Sequence, residues 1–592
     1  MKYPIGIQSF DQIIEGNWVY VDKTDLVYRL VTTTKTCFLS RPRRFGKSLL
    51  VSTLDAYFKG RKELFDGLMI AKLEKDWHQY PVFKIDFNGV NFTEKGNLEA
   101  TIEYYLANWE KIYGETPREV PMGKRFEQIL SLAYQQTGRR AVVLVDEYDK
   151  PILDALDTPL EDANREILKA FYSTFKGADE YLRFVLLTGV TKFSQVSVFS
   201  GFNQPKDISM DNHYEALCGV TQVELEHYFA EPIANLAEKF NYTVEEMKDV
   251  LKMQYDGYHF GSGLLGVYNP FSLLNAFDMN DIRDYWFASG TPTYLIKLLR
   301  HNHEQMDELT GRYYDPSMFV DYKADVEKPL PMIYQSGYLT IKEYDSRRNR
   351  YLLDFPNNEV KKGFLTMVAA NYFKPQEFEV SNWIVDAVIL LEEGETTAFC
   401  SALTSFLADI PYDSHGSIKT VEATEKHFQY TFYLILRLLG VYCQLHVEKT
   451  QSRGRVDCVL ETKDYVYIFE FKLDGTAAAD RGQRICYTLS DRHAQSHGYW
   501  CQFFIGNHDG GGMGGKNVVA QLRLNNSAKV MPQAGIVTIP LEAVFIYGIG
   551  DINRLRFKIA CYFFISIYGT VTQFFFNAEQ LVVFCHTVAT AQ

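Results

Sequence analysis

The sequence predicts an α/β protein: a parallel sheet bearing a phosphate-binding loop, then a helical module, then a second, smaller α/β domain with acids on its strands. Three observations predict it. Thr36 to Leu50, TCFLSRPRRFGKSLL, reads as a short buried strand, a basic turn and the opening of a helix at Gly46-Lys47-Ser48. Arg140 to Leu153, RAVVLVDEYDKPIL, is an apolar strand that ends in Asp146-Glu147. Far downstream, Arg453 to Leu460 and Tyr465 to Leu473 read as adjacent strands carrying Asp457, Glu470 and Lys472.

At 592 residues the chain is too long for one core, and a soft prior gives about three or four domains. With 46% hydrophobic and 23% charged residues the composition is that of a folding chain rather than a disordered one. A net charge of −13 argues against an overall electrostatic grip on nucleic acid or anionic membrane, so a polyanion contact must be a local basic patch. No stretch reaches the roughly 18 to 20 apolar residues of a membrane helix. The nearest, Ile559 to Val571, is too short and carries Ser566, Gly569 and Thr570. Nine scattered cysteines without paired metal spacing, and no secretory pattern at Met1-Lys2-Tyr3-Pro4, make a reducing cytoplasm the expected location.

Taken in order, Phe10 to Leu30 runs into a helix with Asp22 and Thr24 as good caps. The segment either serves capping alone or also lies against a nucleotide. In the loop that follows, Gly46 lets the backbone approach phosphates, the helix start offers unpaired N–H groups, Lys47 adds a point charge and the Ser48 hydroxyl can ligate Mg²⁺. Arg43, Arg44 and Phe45 stand beside them; Arg41 occupies the position where the usual loop pattern wants a first Gly. Pro81 to Phe87 reads as a second core strand, and Leu98 to Tyr113 as a helix. On the Ala141 to Val145 strand, Asp146 is placed to hold Mg²⁺ through water and Glu147 to polarise the attacking water. After a helix over Asp162 to Lys176, the strand from Leu182 carries Thr188, Thr191 and Lys192 at its carboxyl end. Ligands collect there in open α/β sheets, so these residues are either γ-phosphate sensors or simple strand-end polarity.

From about Asp207 to Leu390 the pattern is helical, punctuated by aromatic and Gly/Pro-rich turns at Tyr255–Gly261, Tyr268–Leu274 and Tyr285–Leu295. It reads as a lid and linker, with His259 a satisfied structural histidine. A long helix, Glu422 to Leu439, then carries Glu425. By period-2 alternation Glu470 and Lys472 share one face of their strand. Asp457 and Glu470 are candidate Mg²⁺ ligands, and Lys472 is placed to orient or deprotonate water. A surface hairpin with outward charges is the alternative. Against it, Val466, Ile468, Phe469 and Phe471 make the strand apolar on both faces, so its charges would be half-buried at a cost.

Residues 1 to about 475 resemble the bacterial family that joins an AAA-ATPase-like domain to a C-terminal PD-(D/E)xK nuclease-superfamily domain. The resemblance rests on YVDKT at 20–24, RPRRFGKS at 41–48, VDEYDKPI at 145–152, LTGVTKFS at 187–194, GRVDCVL at 454–460 and FEFK at 469–472. It implies a P-loop NTPase-like domain over 1–206, a helical lid and linker over 207–390, and a restriction-endonuclease-like α/β domain over 391–516. It also implies ATP and Mg²⁺ as cofactors, held by Arg43, Arg44, Phe45, Gly46, Lys47, Ser48, Asp146 and Thr191, with Glu147 serving hydrolysis. Arg41 in place of the first Gly is then a family trait. Asp457, Glu470 and Lys472 become the nuclease core with Glu425 as a helical acid, and nucleotide and DNA become the expected partners, homo-oligomerisation being open.

Beyond Gly475 the resemblance stops. The superfamily fold needs a helix bearing a Gln and then another core strand, whereas Ala477 to Trp500 is followed by a Gly-rich run at 510–515. Read one base later, the codons for Ala479 to Gln483 permit Gln-Ile-Ala-Asp-Lys, and that frame continued through Lys516 permits a Gln-bearing helix and a strand VTGIGVNF. The expectation is a frameshift near Ala477, a truncated nuclease domain and an unstructured tail over 517–592. The expected function is an ATP-driven switch coupled to a Mg²⁺-dependent nuclease. The alternative is an ATP-regulated scaffold or nucleic-acid-binding regulator whose nuclease-like domain is inactive.

Overall fold

The computed structural model describes residues 1–192, 205–288, 309–320, 329–373, 377–409, 434–449, 456–463, 465–473, 482–491, 499–507, 518–526, 529–530, 537–538, 561–567 and 570–576. The chain forms two compact units, Met1–Asn371 and Tyr372–Gln592.

The first unit is built on a five-stranded sheet of β1 (Thr36–Ser40), β2 (Val82–Asp86), β3 (Ala141–Asp146), β4 (Leu182–Gly189) and β5 (Lys206–Asp207), in the order β2-β3-β4-β1-β5. Every pairing is parallel. β3 and nearly all of β4 are buried, which explains their unbroken apolar sequences: a parallel strand covered on both faces has no polar side to show. Helices Lys47–Phe58 and Met122–Thr137 pack on β3. Because β1 lies between β4 and β5, the chain leaves β1 toward one edge of the sheet and later returns to its other side. The carboxyl ends of β1, β3 and β4 therefore open onto the crevice where such sheets bind ligands.

The helical part of this unit has its own apolar core. Leu225, Phe229, Ile233, Leu236, Met247, Leu251, Tyr255, Leu273 and Phe277 bury one another, and Tyr3, Val19 and Val21 of the N-terminal segment pack against them. Two of its helices, Gln222–Tyr228 and Val244–Tyr255, open with reciprocal capping boxes, Thr221 with Glu224 and Thr243 with Glu246. Both are Thr-x-x-Glu sequences, in which each side chain satisfies the other's backbone N–H. A three-stranded antiparallel sheet follows, with Arg350–Asp354 between Arg312–Tyr314 and Thr340–Asp345.

The second unit carries helices Glu377–Glu392 and Thr396–Asp409 and a six-stranded antiparallel meander. Its strands are β6 (Gln444–Lys449), β7 (Val456–Glu461), β8 (Tyr465–Leu473), β9 (Gly482–Asp491), β10 (Tyr499–Asn507) and β11 (Val518–Asn526). The Tyr467 hydroxyl donates to the Leu391 carbonyl, 2.5 Å, pinning β8 to the first helix. Gln483 lies in β9, opposite Leu473, and not on a helix. The tail, expected to be without structure, carries the paired strands Lys529–Val530 with Val537–Thr538 and Cys561–Ile567 with Thr570–Phe576. Among the described residues no helix is long and apolar enough to cross a membrane.

Candidate functional site

The loop from Ser40 to Lys47 joins β1 to helix Lys47–Phe58. Gly46 caps that helix with φ 89° and ψ 21°, a left-handed conformation glycine adopts without penalty. A Cβ built there meets no atom of the described residues within 4 Å, so the face of the loop in front of Gly46 is open. Lys47 is buried; its ammonium donates to the carbonyls of Arg41 and Pro42, 3.1 and 3.3 Å, and stands 3.6 Å from the Glu147 carboxylate. Ser48, half-buried, lies in the first helical turn.

Arg41 explains how the loop dispenses with its usual first glycine. The side chain turns inward and is almost fully buried. Its guanidinium donates to the carbonyls of Ser40, Ser209 and Tyr214 at 2.9, 2.7 and 3.1 Å and lies 4.0 Å from the Phe260 ring. Burial pulls its pKa down, and the carbonyls and ring replace the hydration it has lost. Neighbouring loop residues are gripped similarly. Phe45 packs edge-on against Tyr258 and Phe260. Arg44 lies over Phe271 at 4.7 Å, and the Trp286 indole N–H donates to the Arg43 carbonyl at 3.1 Å.

Across the crevice, β3 ends in Asp146, which is buried and accepts the Thr188 hydroxyl at 2.6 Å. Glu147 follows with φ 53°, a left-handed conformation that costs a non-glycine residue about 1 to 2 kcal/mol. The turn is laced to the end of β4: the Tyr148 N–H donates to the Thr188 carbonyl, 2.9 Å, and its hydroxyl to the Thr191 carbonyl, 3.0 Å. Asp149 is fully buried, and its Oδ2 accepts from the N–H groups of Val190 and Thr191 and from the Thr191 hydroxyl at 3.0, 2.6 and 2.7 Å. Burial, then the neighbouring Glu147 charge, push its carboxyl up to about 7, while the Thr191 hydrogen bonds and the Lys47 charge act against that rise. Gly189 is required here, since a Cβ would lie 2.4 Å from Asp149 Oδ1.

The structure thus brings Gly46, Lys47, Asp146 and Glu147 together at the carboxyl ends of β1 and β3, the two strands that flank β4, with Ser48 in the adjoining turn. Thr188 and Thr191 reach the same place, but their hydroxyls are spent on Asp146 and Asp149. Lys192 pairs with Asp207 at 3.0 Å and donates its backbone N–H to Gln335 at 2.7 Å. Asp22 and Thr24 act as clamps: Asp22 accepts the backbone N–H groups of Thr24 and Met69, and Thr24 accepts that of Ile70. The His259 ring Nδ1–H donates to the Ile341 carbonyl, 2.7 Å, in a structural setting. Asp149 is the residue that reading the sequence misses; the signal was a second aspartate in DEYD, three positions after Asp146. In the second unit Asp457 and Glu470 are direct register partners on β7 and β8, and Lys472 follows opposite Arg484. Glu425 lies outside the described residues.

The donor set fits a nucleotide with Mg²⁺. Among the described residues no three His, Cys, Asp or Glu side chains converge as a metal cage. Mg²⁺ needs none where one or two protein oxygens, waters and phosphates complete its shell; Ser48 lies in the helical turn that follows Gly46, and Asp146 ends β3.

Comparison with known proteins agrees with this geometry. The family described as "Predicted AAA-ATPase" matches residues 4–199, and the family described as "PD-(D/E)XK nuclease superfamily" matches residues 423–496. A protein of Azotobacter chroococcum mcd 1, described as an uncharacterized protein in the vnfD 5′ region, is 35% identical over 479 residues, covering 80% of this chain and 89% of its own. The chain belongs to the family that joins an AAA-ATPase-like domain to a PD-(D/E)XK nuclease-superfamily domain.

Proposed function

We propose that the first unit binds and hydrolyses ATP with Mg²⁺, and that its nucleotide state governs a Mg²⁺-dependent nuclease-like domain acting on DNA. The observation that carries the reading is Lys47 in the first turn of its helix, 3.6 Å from Glu147, with Asp146 beside them. Lys47 and the open N-terminus of its helix hold the phosphates, Ser48 and Asp146 hold the metal, and Glu147 takes a proton from the attacking water. Bound Mg²⁺ would supply charge neutralisation between phosphate oxygens. Lys47→Ala should lower affinity for Mg·ATP at least about tenfold, the loss of a charge-assisted contact, read by calorimetric titration. Unchanged affinity would remove the phosphate-loop assignment.

For the second unit, support comes from the Asp457–Glu470 register, which sets two acids opposite one another on paired strands. The other reading, a regulator with an inactive nuclease-like domain, is favoured by β9: residues 482–491 form a strand where the superfamily fold needs a Gln-bearing helix. A frameshift near Ala477 accounts for that strand. The match to the relative covers 80% of this chain, and the nuclease-superfamily match runs on to residue 496. The nucleotide sequence across the codons for Asp474 to Lys516 decides between them. A chain in the restored frame should nick plasmid DNA with Mg²⁺ and lose that activity on Lys472→Ala; no Mg²⁺-dependent nicking would leave the regulator.

A further inference from the structure

Glu147 is the group asked to activate water, yet its backbone sits in a conformation that non-glycine residues avoid. Such residues persist only where their surroundings over-determine them. The surroundings here are the turn Tyr148-Asp149 and the end of β4. Two successive backbone N–H groups, of Val190 and Thr191, converge on Asp149 Oδ2, and the Thr191 hydroxyl completes the set. Consecutive N–H groups aimed at one point make an anion cradle; in this chain the anion is the protein's own carboxylate. The opposite oxygen, Oδ1, has no hydrogen-bond partner among the described residues and is pressed against Gly189. Nothing about capping a short helix requires a carboxylate buried this deeply.

We propose that Asp149 is the positioning residue of the hydrolytic site. By occupying the cradle at Val190 and Thr191 it closes the turn after β3, and the closed turn keeps Glu147 in its left-handed conformation with the carboxylate beside Lys47. Thr191 therefore acts through Asp149 rather than by touching a phosphate. This inference rests on the ATP-hydrolysis reading above and adds to it a residue that touches neither nucleotide nor metal. Its mark is a split between binding and turnover: the phosphate loop is untouched when the cradle is broken, whereas Glu147 loses its aim.

The test is steady-state ATP hydrolysis by the full chain carrying Asp149→Asn, Thr191→Val or Thr191→Ser, with Lys47→Ala as control. Asn has the shape of Asp but turns an NH₂ group or a weaker acceptor toward two N–H donors. Asp149→Asn should lower kcat about a hundredfold, the scale of a misplacement of about 1 Å at a reacting group, with KM and Mg·ATP affinity held within about threefold. Thr191→Val removes one donor of three and should lower kcat about tenfold, while Thr191→Ser, which keeps the hydroxyl, should restore it. Wild-type kcat in Asp149→Asn overturns the proposal and leaves the ATPase reading standing. Should Asp149→Asn fail to fold, as its melting curve would show, equal kcat in Thr191→Val and wild type overturns it instead. Absence of Lys47-dependent hydrolysis in the wild type overturns both.

Discussion

Charged side chains placed deep in the first unit are its most informative residues, because each must be held there by something specific. Glu359 is fully buried, accepts the Trp286 backbone N–H and the Ser272 hydroxyl, and is pushed from the ordinary 4.5 to about 8 by burial, with the Asp284 charge adding to the rise. Tyr255, Tyr258 and Tyr285 also face it. Its folded pKa lies above its unfolded one, so below about 4.5 the group is protonated in both states and has no effect. Between about 4.5 and 8 the unfolded chain loses the proton that the folded chain keeps, and stability falls by about 1.4 kcal/mol per pH unit; above about 8 the loss is complete. Glu359→Gln should remove this slope. Urea unfolding between pH 5 and pH 8 checks it, and parallel curves for variant and wild type would show that Glu359 does not titrate in that range. Arg41 makes the complementary point about legibility. Its position in the loop was readable as a departure from the glycine pattern, but its inward turn was not, because the three carbonyls that receive it come from Ser40, Ser209 and Tyr214.

Elements whose order is written in local periodicity were legible; the ties between them were not. The strand reading over Ala141 to Val145 and the helix reading over Leu98 to Tyr113 correspond to Ala141–Asp146 and Asn97–Tyr113, since unbroken apolar runs and helical spacing are short-range signals. Lys23 was quoted only as part of a motif. In the structure its ammonium meets Glu224, 2.5 Å away and mostly buried, joining the N-terminal segment to the first capped helix of the helical part. Burial pulls the Lys23 pKa down while Glu224 pulls it up. Removing one partner of such a pair strands the other charge, so Lys23→Met should cost about 3 kcal/mol. Glu224→Gln, added to it, keeps the capping box while discharging the stranded acid and should recover most of that loss. Chemical denaturation of the two variants checks both statements; a double variant no more stable than Lys23→Met would place the cost in packing rather than charge.

For the molecule as a whole, two candidate centres stand out in the sequence because each is a compact run of residue types: Gly46-Lys47-Ser48 with Asp146-Glu147, and Asp457 with Glu470 and Lys472. What the sequence could not convey is how widely the support of the first centre is spread. The loop from Arg41 to Phe45 is held by Ser209, Tyr214, Tyr258, Phe260, Phe271 and Trp286, and Gly337 lies against Pro42 closely enough that a Cβ would sit 2.6 Å from it. All of these lie beyond residue 206, where a boundary drawn from sequence pattern would cut. A fragment of residues 1–206 should therefore bind Mg·ATP at least about tenfold more weakly than one of residues 1–371, the loss expected when the competent loop is no longer the main population; equal affinities in calorimetric titration would show the sheet domain to be self-sufficient. In the language of heredity, the AAA-ATPase-like half is not expected to behave as a cassette that can be shuffled between relatives. A recombination joint falling between the loop and its distant supports would pair an arginine with the wrong carbonyls, so loop and supports are expected to be inherited together.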